Sequence, residues 1–114
     1  MNENCLFCNI VAGTIPAKEV LRTDDAVAFR DLNPQAPEHV LVVPTTHAAH
    51  LTEFSSIAEP AAAGRFLAAV AQVGSTLGPG GYRVVMNEGE DAGQTVHHLH
   101  AHVLAGRALG WPPG

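Results

Sequence analysis

Positive charge is scarce in this chain: six Lys+Arg stand against eleven Asp+Glu in 114 residues, a formal net charge of -5 with the seven histidines neutral. The basic residues nowhere run together, so a series of backbone phosphates could not be neutralised and broad nucleic-acid binding is excluded. A single nucleotide stays open, because backbone N–H groups and histidines bind phosphate locally. Long hydrophobic runs are missing too. Stretches such as Val40-Leu41-Val42-Val43 fall far short of the roughly 20 residues that cross a bilayer. Met1-Asn2-Glu3-Asn4 carries no basic segment followed by an apolar one, so the expectation is a soluble, cytoplasmic protein with no membrane partner. Two cysteines, Cys5 and Cys8, are too few for a disulfide framework, and their spacing suits a metal or redox motif better. No internal repeat or low-complexity linker is present. With 46% hydrophobic residues the length suits one packed core, hence a single domain over 1–114.

What is present reads as strands, helix, strands. Lys18–Arg22 and Ala26–Arg30 flank the turn residues Thr23-Asp24-Asp25 and predict a hairpin. His39–Val43 is an unbroken run rich in Val, the pattern of a central strand buried on both faces, and Pro44 ends it. Ser56-Ile57-Ala58-Glu59 has the capping-box pattern with Pro60 in the first turn, which predicts a helix starting there. Ala63, Phe66, Leu67, Val70, Val73 and Leu77 recur at helical spacing until Gly78-Pro79-Gly80-Gly81 stops the element. Tyr82–Asn87 and 96–104 predict two further strands around the glycine-bearing loop 88–95. The class is α+β with an antiparallel sheet.

The stretch VHHLHAHVL at 96–104 holds four of the seven histidines. Strand alternation sends His98, His100 and His102 to one face and Leu99, Ala101 and Val103 to the core, with His97 on the core face by parity. Three histidines on one strand suit a single metal poorly. At about 3.3 Å per residue, His98 and His102 lie roughly 13 Å apart at Cα, too far for tetrahedral convergence with His100. Nucleophilic catalysis fits better, because a neutral imidazole attacks phosphorus and later leaves again, while its neighbours orient it or manage a proton. Gly89 and Gly93 allow close backbone approach and Thr95 offers a hydroxyl, so the preceding loop makes a phosphate cradle. A polar strand face in water is the plainer alternative.

His98-Leu99-His100-Ala101-His102-Val103-Leu104 resembles the signature of the histidine triad (HIT) superfamily, and Gly93-Gln94-Thr95-Val96 resembles its lead-in. Ala105-Gly106-Arg107 and the terminal Trp111-Pro112-Pro113-Gly114 are similar to the Hint branch, as are Asp31–Pro37, His39–Pro44 and Tyr82–Gly89. The resemblance implies a HIT fold: a five-stranded antiparallel sheet with a long central helix, two sheets joining across a homodimer, and the tail 105–114 near the partner's site. It implies purine nucleoside phosphoramidase activity on AMP- or GMP-linked amines, with His100 as nucleophile, His102 on phosphate or proton, and His39 beside the nucleophile. Asn87, Gly93 and Thr95 fall on the contacts to phosphate and leaving group, Asp31 on the ribose hydroxyls, and Ile15, Phe29 and Leu32 on the apolar slot for the base. Thr95 stands where animal Hint proteins usually have serine. His97 stands where they often have an aromatic residue, and it reads as a partly buried core-face histidine.

Cys5-Leu6-Phe7-Cys8 is half of a tetrahedral zinc site; a thioredoxin-like use lacks its βαβ context, and a plain pair of reduced thiols is the other reading. The resemblance to bacterial HIT proteins that begin with C-x-x-C implies structural Zn2+ on Cys5, Cys8, His47 and His98. His50 reads as surface. Dinucleoside polyphosphate hydrolysis, nucleotidyl transfer, or a nucleotide-binding module without turnover are the competing functions.

Overall fold

The turn that opens the sheet is fixed by one hydroxyl. Thr23 Oγ1 accepts from the N–H groups of Asp25 and Ala26, and Thr23 N–H donates to Ala26 O at 2.8 Å; this joins β1 (Glu19–Arg22) to β2 (Ala26–Arg30) as the expected hairpin. A computed structural model describes residues 4–114; the first three residues, on which part of the leader expectation rests, lie outside it. The other elements are α1 (Leu6–Ala12), β3 (Glu38–Pro44), α2 (Leu51–Ile57), α3 (Pro60–Leu77), β4 (Tyr82–Val85) and β5 (Ala101–Ala105). The five strands form one sheet in the order β1-β2-β3-β5-β4, every neighbouring pair antiparallel.

β3 is the central strand, and its residues alternate between two cores. Val40 and Val42 join Ala26, Ala28, Leu99, Ala101 and Val103 under α3, against Phe66, Val70 and Val73. Leu41 and Val43 join Val27 and Phe29 on the other face, beneath α1 with Phe7, Ile10 and Val11. A run of Val and Leu without polar interruption is what a strand covered on both faces requires. His39 shares the parity of Leu41, and His102 pairs directly opposite Leu41, so both histidines belong to the α1 face.

Three expectations need correction. The 18-residue helix α3 does start at Pro60, but its N-cap is Glu59 and has no side-chain hydrogen bond. Ser56 lies inside α2, where its Oγ donates to Glu53 O at 2.9 Å, so the Ser56–Glu59 pattern is the end of one helix and the entry to the next. The histidine strand begins at Ala101 rather than Val96, because Leu99 N–H is taken by Ala48 O at 2.7 Å instead of a sheet neighbour. The alternation of sides nevertheless persists back to Leu99. His97 is exposed: the chain bends at 96–98, so strand parity does not reach it.

Both α1 and α2 escaped the sequence reading, since each has seven residues and too little periodicity to register. Among the described residues no helix is long and apolar enough to cross a membrane.

Candidate functional site

β3, β5 and the bend before β5 bring His39, His98, His100 and His102 onto the α1 face. His100 Nδ1 faces His98 O at 2.9 Å. A carbonyl only accepts, so Nδ1 carries the proton and Nε2 keeps its lone pair. The His100 ring is buried, edge-on to Phe7 at 5.1 Å and to His102 at 4.9 Å between centroids.

A second tautomer chain runs through His39. Gln35 N–H donates to His39 Nδ1 at 3.0 Å, which leaves the proton on Nε2. That Nε2 lies 2.9 Å from His102 Nδ1 and 3.5 Å from Asp31 Oδ2. It therefore donates to His102, whose own proton sits on Nε2. Burial pushes the His102 imidazole down to about 4, with the neighbouring His100 and His39 acting the same way, so it is neutral at pH 7. Burial also lowers His39, partly offset by the Asp31 carboxylate.

Asp31, His39 and His102 bring their donor atoms within 4.8 Å of one another. They are poor metal ligands as arranged, because the nitrogen that His39 would offer is protonated by the choice Gln35 imposes.

The other cluster has the opposite chemistry. Cys5 Sγ, Cys8 Sγ, His47 Nδ1 and His98 Nδ1 lie within 4.8 Å of one another. The individual separations are 3.3 Å for Cys5–His98, 3.2 Å for Cys8–His47, 3.5 Å for Cys8–His98 and 3.1 Å for His47–His98. Four donors at the corners of a zinc tetrahedron stand roughly 3.3–3.8 Å apart, given Zn–S of about 2.3 Å and Zn–N of about 2.0–2.1 Å. His98 Nε2 faces Pro44 O at 3.0 Å, so its proton is there and its Nδ1 lone pair turns to the sulfurs. His98 is 0% exposed, and both thiols are buried and free of disulfides. The donor set fits a divalent, thiophilic metal. His50 is not part of it: its Nδ1 accepts from Glu53 N–H and caps α2.

An apolar cleft of about 230 Å³ opens beside the histidines, lined by Leu6, Phe7, Ile10, Ile15, Phe29 and Leu41, with Lys18, Asp31 and Leu32 at its margin. Ile15, Phe29, Leu32 and Asp31 are thus brought together as the sequence reading expected, Leu32 as a rim residue that is 96% exposed. Leu6, Phe7 and Ile10 were missed, since they sit on the unrecognised α1. The only signal for them was Leu6-Phe7 between the two cysteines. Gln35, which sets the His39 tautomer, was missed as well because it acts through its backbone.

Asn87, Gly93 and Thr95 lie on the connection from β4 to the histidines. Among the described residues none of the three shares a hydrogen bond with His39, His100 or His102, and the side chains of Asn87 and Thr95 hold none at all. Their loop is pinned by Gln94, whose Oε1 accepts from Gly89 N–H at 3.0 Å while Nε2 donates to Ala49 O at 2.6 Å and Val96 O at 3.1 Å. Gly89 and Gly93 take φ of 87° and 86°, the left-handed region that favours glycine. Glu88 ties the same loop to α2 by accepting from Thr52 N–H and Oγ1–H, both at 2.9 Å.

An α+β domain with one five-stranded antiparallel sheet and a buried histidine pair beside an apolar cleft is the class of protein defined so far. The family model described as HIT domain matches residues 12–109, and the chain belongs to that family. It is 47% identical over 111 residues to an uncharacterized 13.2 kDa HIT-like protein of Azospirillum brasilense, covering 96% of this chain and 91% of that one. A HIT-like protein of Synechococcus elongatus is 44% identical over 115 residues, with both chains fully covered. Among solved structures, a HIT family hydrolase from Legionella pneumophila superposes with TM-score 0.90 at 39% identity, covering 97% of this chain and 100% of the other.

Proposed function

We propose that the protein is a Hint-type hydrolase of purine nucleoside phosphoramidates, acting through a covalent nucleotidyl-histidine. The observation that carries this reading is the bond from His100 Nδ1–H to the His98 carbonyl, which leaves the Nε2 lone pair for a nucleophile, on a ring packed against Phe7 of the apolar cleft that also has the Asp31 carboxylate in its lining. The base of AMP or GMP lies against Ile15, Phe29 and Leu32, and Asp31 accepts from the ribose hydroxyls. The His100 Nε2 lone pair forms a bond to the α-phosphorus as the P–N bond to the amine breaks. His102, aligned by His39, keeps its proton and donates an Nε2–H hydrogen bond to a phosphate oxygen, while the departing amine takes up a proton from solvent that the attacking water gives back in the second step. Asn87, Gly93 and Thr95 supply the remaining contacts to phosphate and leaving group. Water then adds to phosphorus, the P–N bond to His100 breaks, and the nucleotide is released with neutral His100 restored.

Residues 1–114 form one HIT domain that pairs as a homodimer, the two sheets joining and the tail 105–114 approaching the partner's site. Cys5, Cys8, His47 and His98 hold structural zinc, which fixes the approach to the catalytic strand; no chemical step needs it. Reduced, metal-held cysteines suit a cytoplasmic setting.

The test is steady-state hydrolysis of a fluorogenic adenosine phosphoramidate by the wild type and His100→Ala. A loss of at least about 10³-fold is expected, with AMP affinity little changed. Unchanged turnover in the variant would remove His100 as nucleophile. A wild type that binds AMP without turning over the phosphoramidate would point to dinucleoside polyphosphates, or to a recognition role for the histidines.

A further inference from the structure

The metal-ligating cluster and the apolar cleft are built on the same short helix. Cys5 caps α1 and Cys8 lies in its first turn, while Leu6, Phe7 and Ile10 of the same seven residues form one wall of the cleft. The Phe7 ring stands 5.1 Å from His100, 5.5 Å from Phe29 and 6.0 Å from His98, so it touches the nucleophile, the base slot and a ligand of the cluster at once.

A helix this short does not hold in water by its own hydrogen bonds. Its far end is tied by Arg22, which donates to Val11 O at 3.0 Å and Ile10 O at 3.4 Å, and by Gly13 at φ 81°, whose N–H returns to the last turn. Its near end has the cap from Cys8 N–H to Cys5 Sγ at 3.3 Å and the cluster itself. With no ion shared among them, the four groups are held only by weak thiol–imidazole and imidazole–imidazole contacts in place of four metal–ligand bonds. That end of α1 then separates more readily from His47 and His98, and the wall of the cleft goes with it.

Resting on the reading of the cluster as a zinc site and the cleft as a nucleotide site, we infer that zinc and purine nucleotide bind with positive coupling through α1, with Phe7 as the side chain common to both. Each ligand selects the docked helix, so each raises the affinity for the other by the same factor.

The experiment measures AMP affinity calorimetrically on the full chain, zinc-loaded and chelator-stripped, and zinc affinity with and without saturating AMP. AMP is expected to bind the loaded form at least about fivefold more tightly, with an equal gain in zinc affinity when AMP is present. Amide exchange distinguishes local undocking from unfolding: stripping zinc is expected to expose Ile10 and Val11 in α1 while Val70 and Val73 in α3 stay protected. Phe7→Leu is expected to keep one zinc per chain and shrink the coupling factor toward one. Equal AMP affinity in the two forms, with zinc bound one per chain, overturns the coupling and leaves the proposed function standing. Loss of α3 protection together with α1 also overturns it, since the effect is then global. Failure of AMP to bind either form, or of zinc to bind at all, overturns the coupling and the underlying reading together.

Discussion

Lowering the pH from 7 to 4.5 should cost the wild type stability through His102, and the size of the loss follows from its surroundings. In the fold its imidazole titrates at about 4, whereas an unfolded histidine titrates near 6.5. Between those values the unfolded chain binds a proton that the folded one does not, so stability is complete above about pH 6.5 and falls as the pH drops toward about 4. The full two-state conversion at pH 4.5 is about 2.5 kcal/mol. His102 keeps some solvent contact, and screening reduces the expected loss to about 1–2 kcal/mol. Urea unfolding of the wild type and His102→Gln at both pH values reads this contribution together with its coupling to His39 and His100, because the titrating groups away from that cluster are common to the two proteins. The wild type should lose about 1–2 kcal/mol more than the variant over that interval. Equal losses would show that His102 is not held neutral by burial, and the donor role given to its Nε2–H would fall with it.

Two perturbations outside the histidines follow from the loop and tail contacts. Gln94→Ala removes three hydrogen bonds, two that brace the loop at Gly89 and Val96 and one that ties it to Ala49; it should cost about 1–3 kcal/mol and speed proteolysis within 88–96, and an unchanged cleavage rate would refute the pinning. Arg83 donates to Gly110 O at 2.8 Å and Leu109 O at 3.4 Å, and the single tryptophan, Trp111, follows at 83% exposure. Arg83→Ala should lower Trp111 fluorescence anisotropy while changing stability by about 1 kcal/mol or less, and unchanged anisotropy would show that the latch does not order the tail.

The residues whose role depends on periodicity or on a fixed motif were legible in the chain itself. Ala26–Arg30 and the core of α3 were read where they stand, because alternation and the 3.6-residue repeat are properties of neighbouring side chains. The parity that separates His98, His100 and His102 from Leu99, Ala101 and Val103 was equally readable, even though the ladder starts only at Ala101. Cys5 and Cys8 announced by their spacing half of a cluster that could hold a metal. Their partners His47 and His98 came from the family resemblance, since nothing local connects positions so far apart.

Tertiary structure alone decided which proton sits on which ring. His100 is oriented by the carbonyl of His98, His39 by the backbone N–H of Gln35, and His98 by the carbonyl of Pro44. Backbone groups are the same in every residue and leave no mark in a sequence, so the tautomers become visible only when the fold places a particular carbonyl or amide beside a particular nitrogen. The short helices α1 and α2 escaped for a related reason. Seven residues carry less than two turns of pattern, and their helicity is imposed by packing and caps from elsewhere in the fold. The sequence by itself determined the five-stranded scaffold and the chemistry of its histidine face; packing over long separations determined the orientation of each imidazole and the helix that walls the cleft.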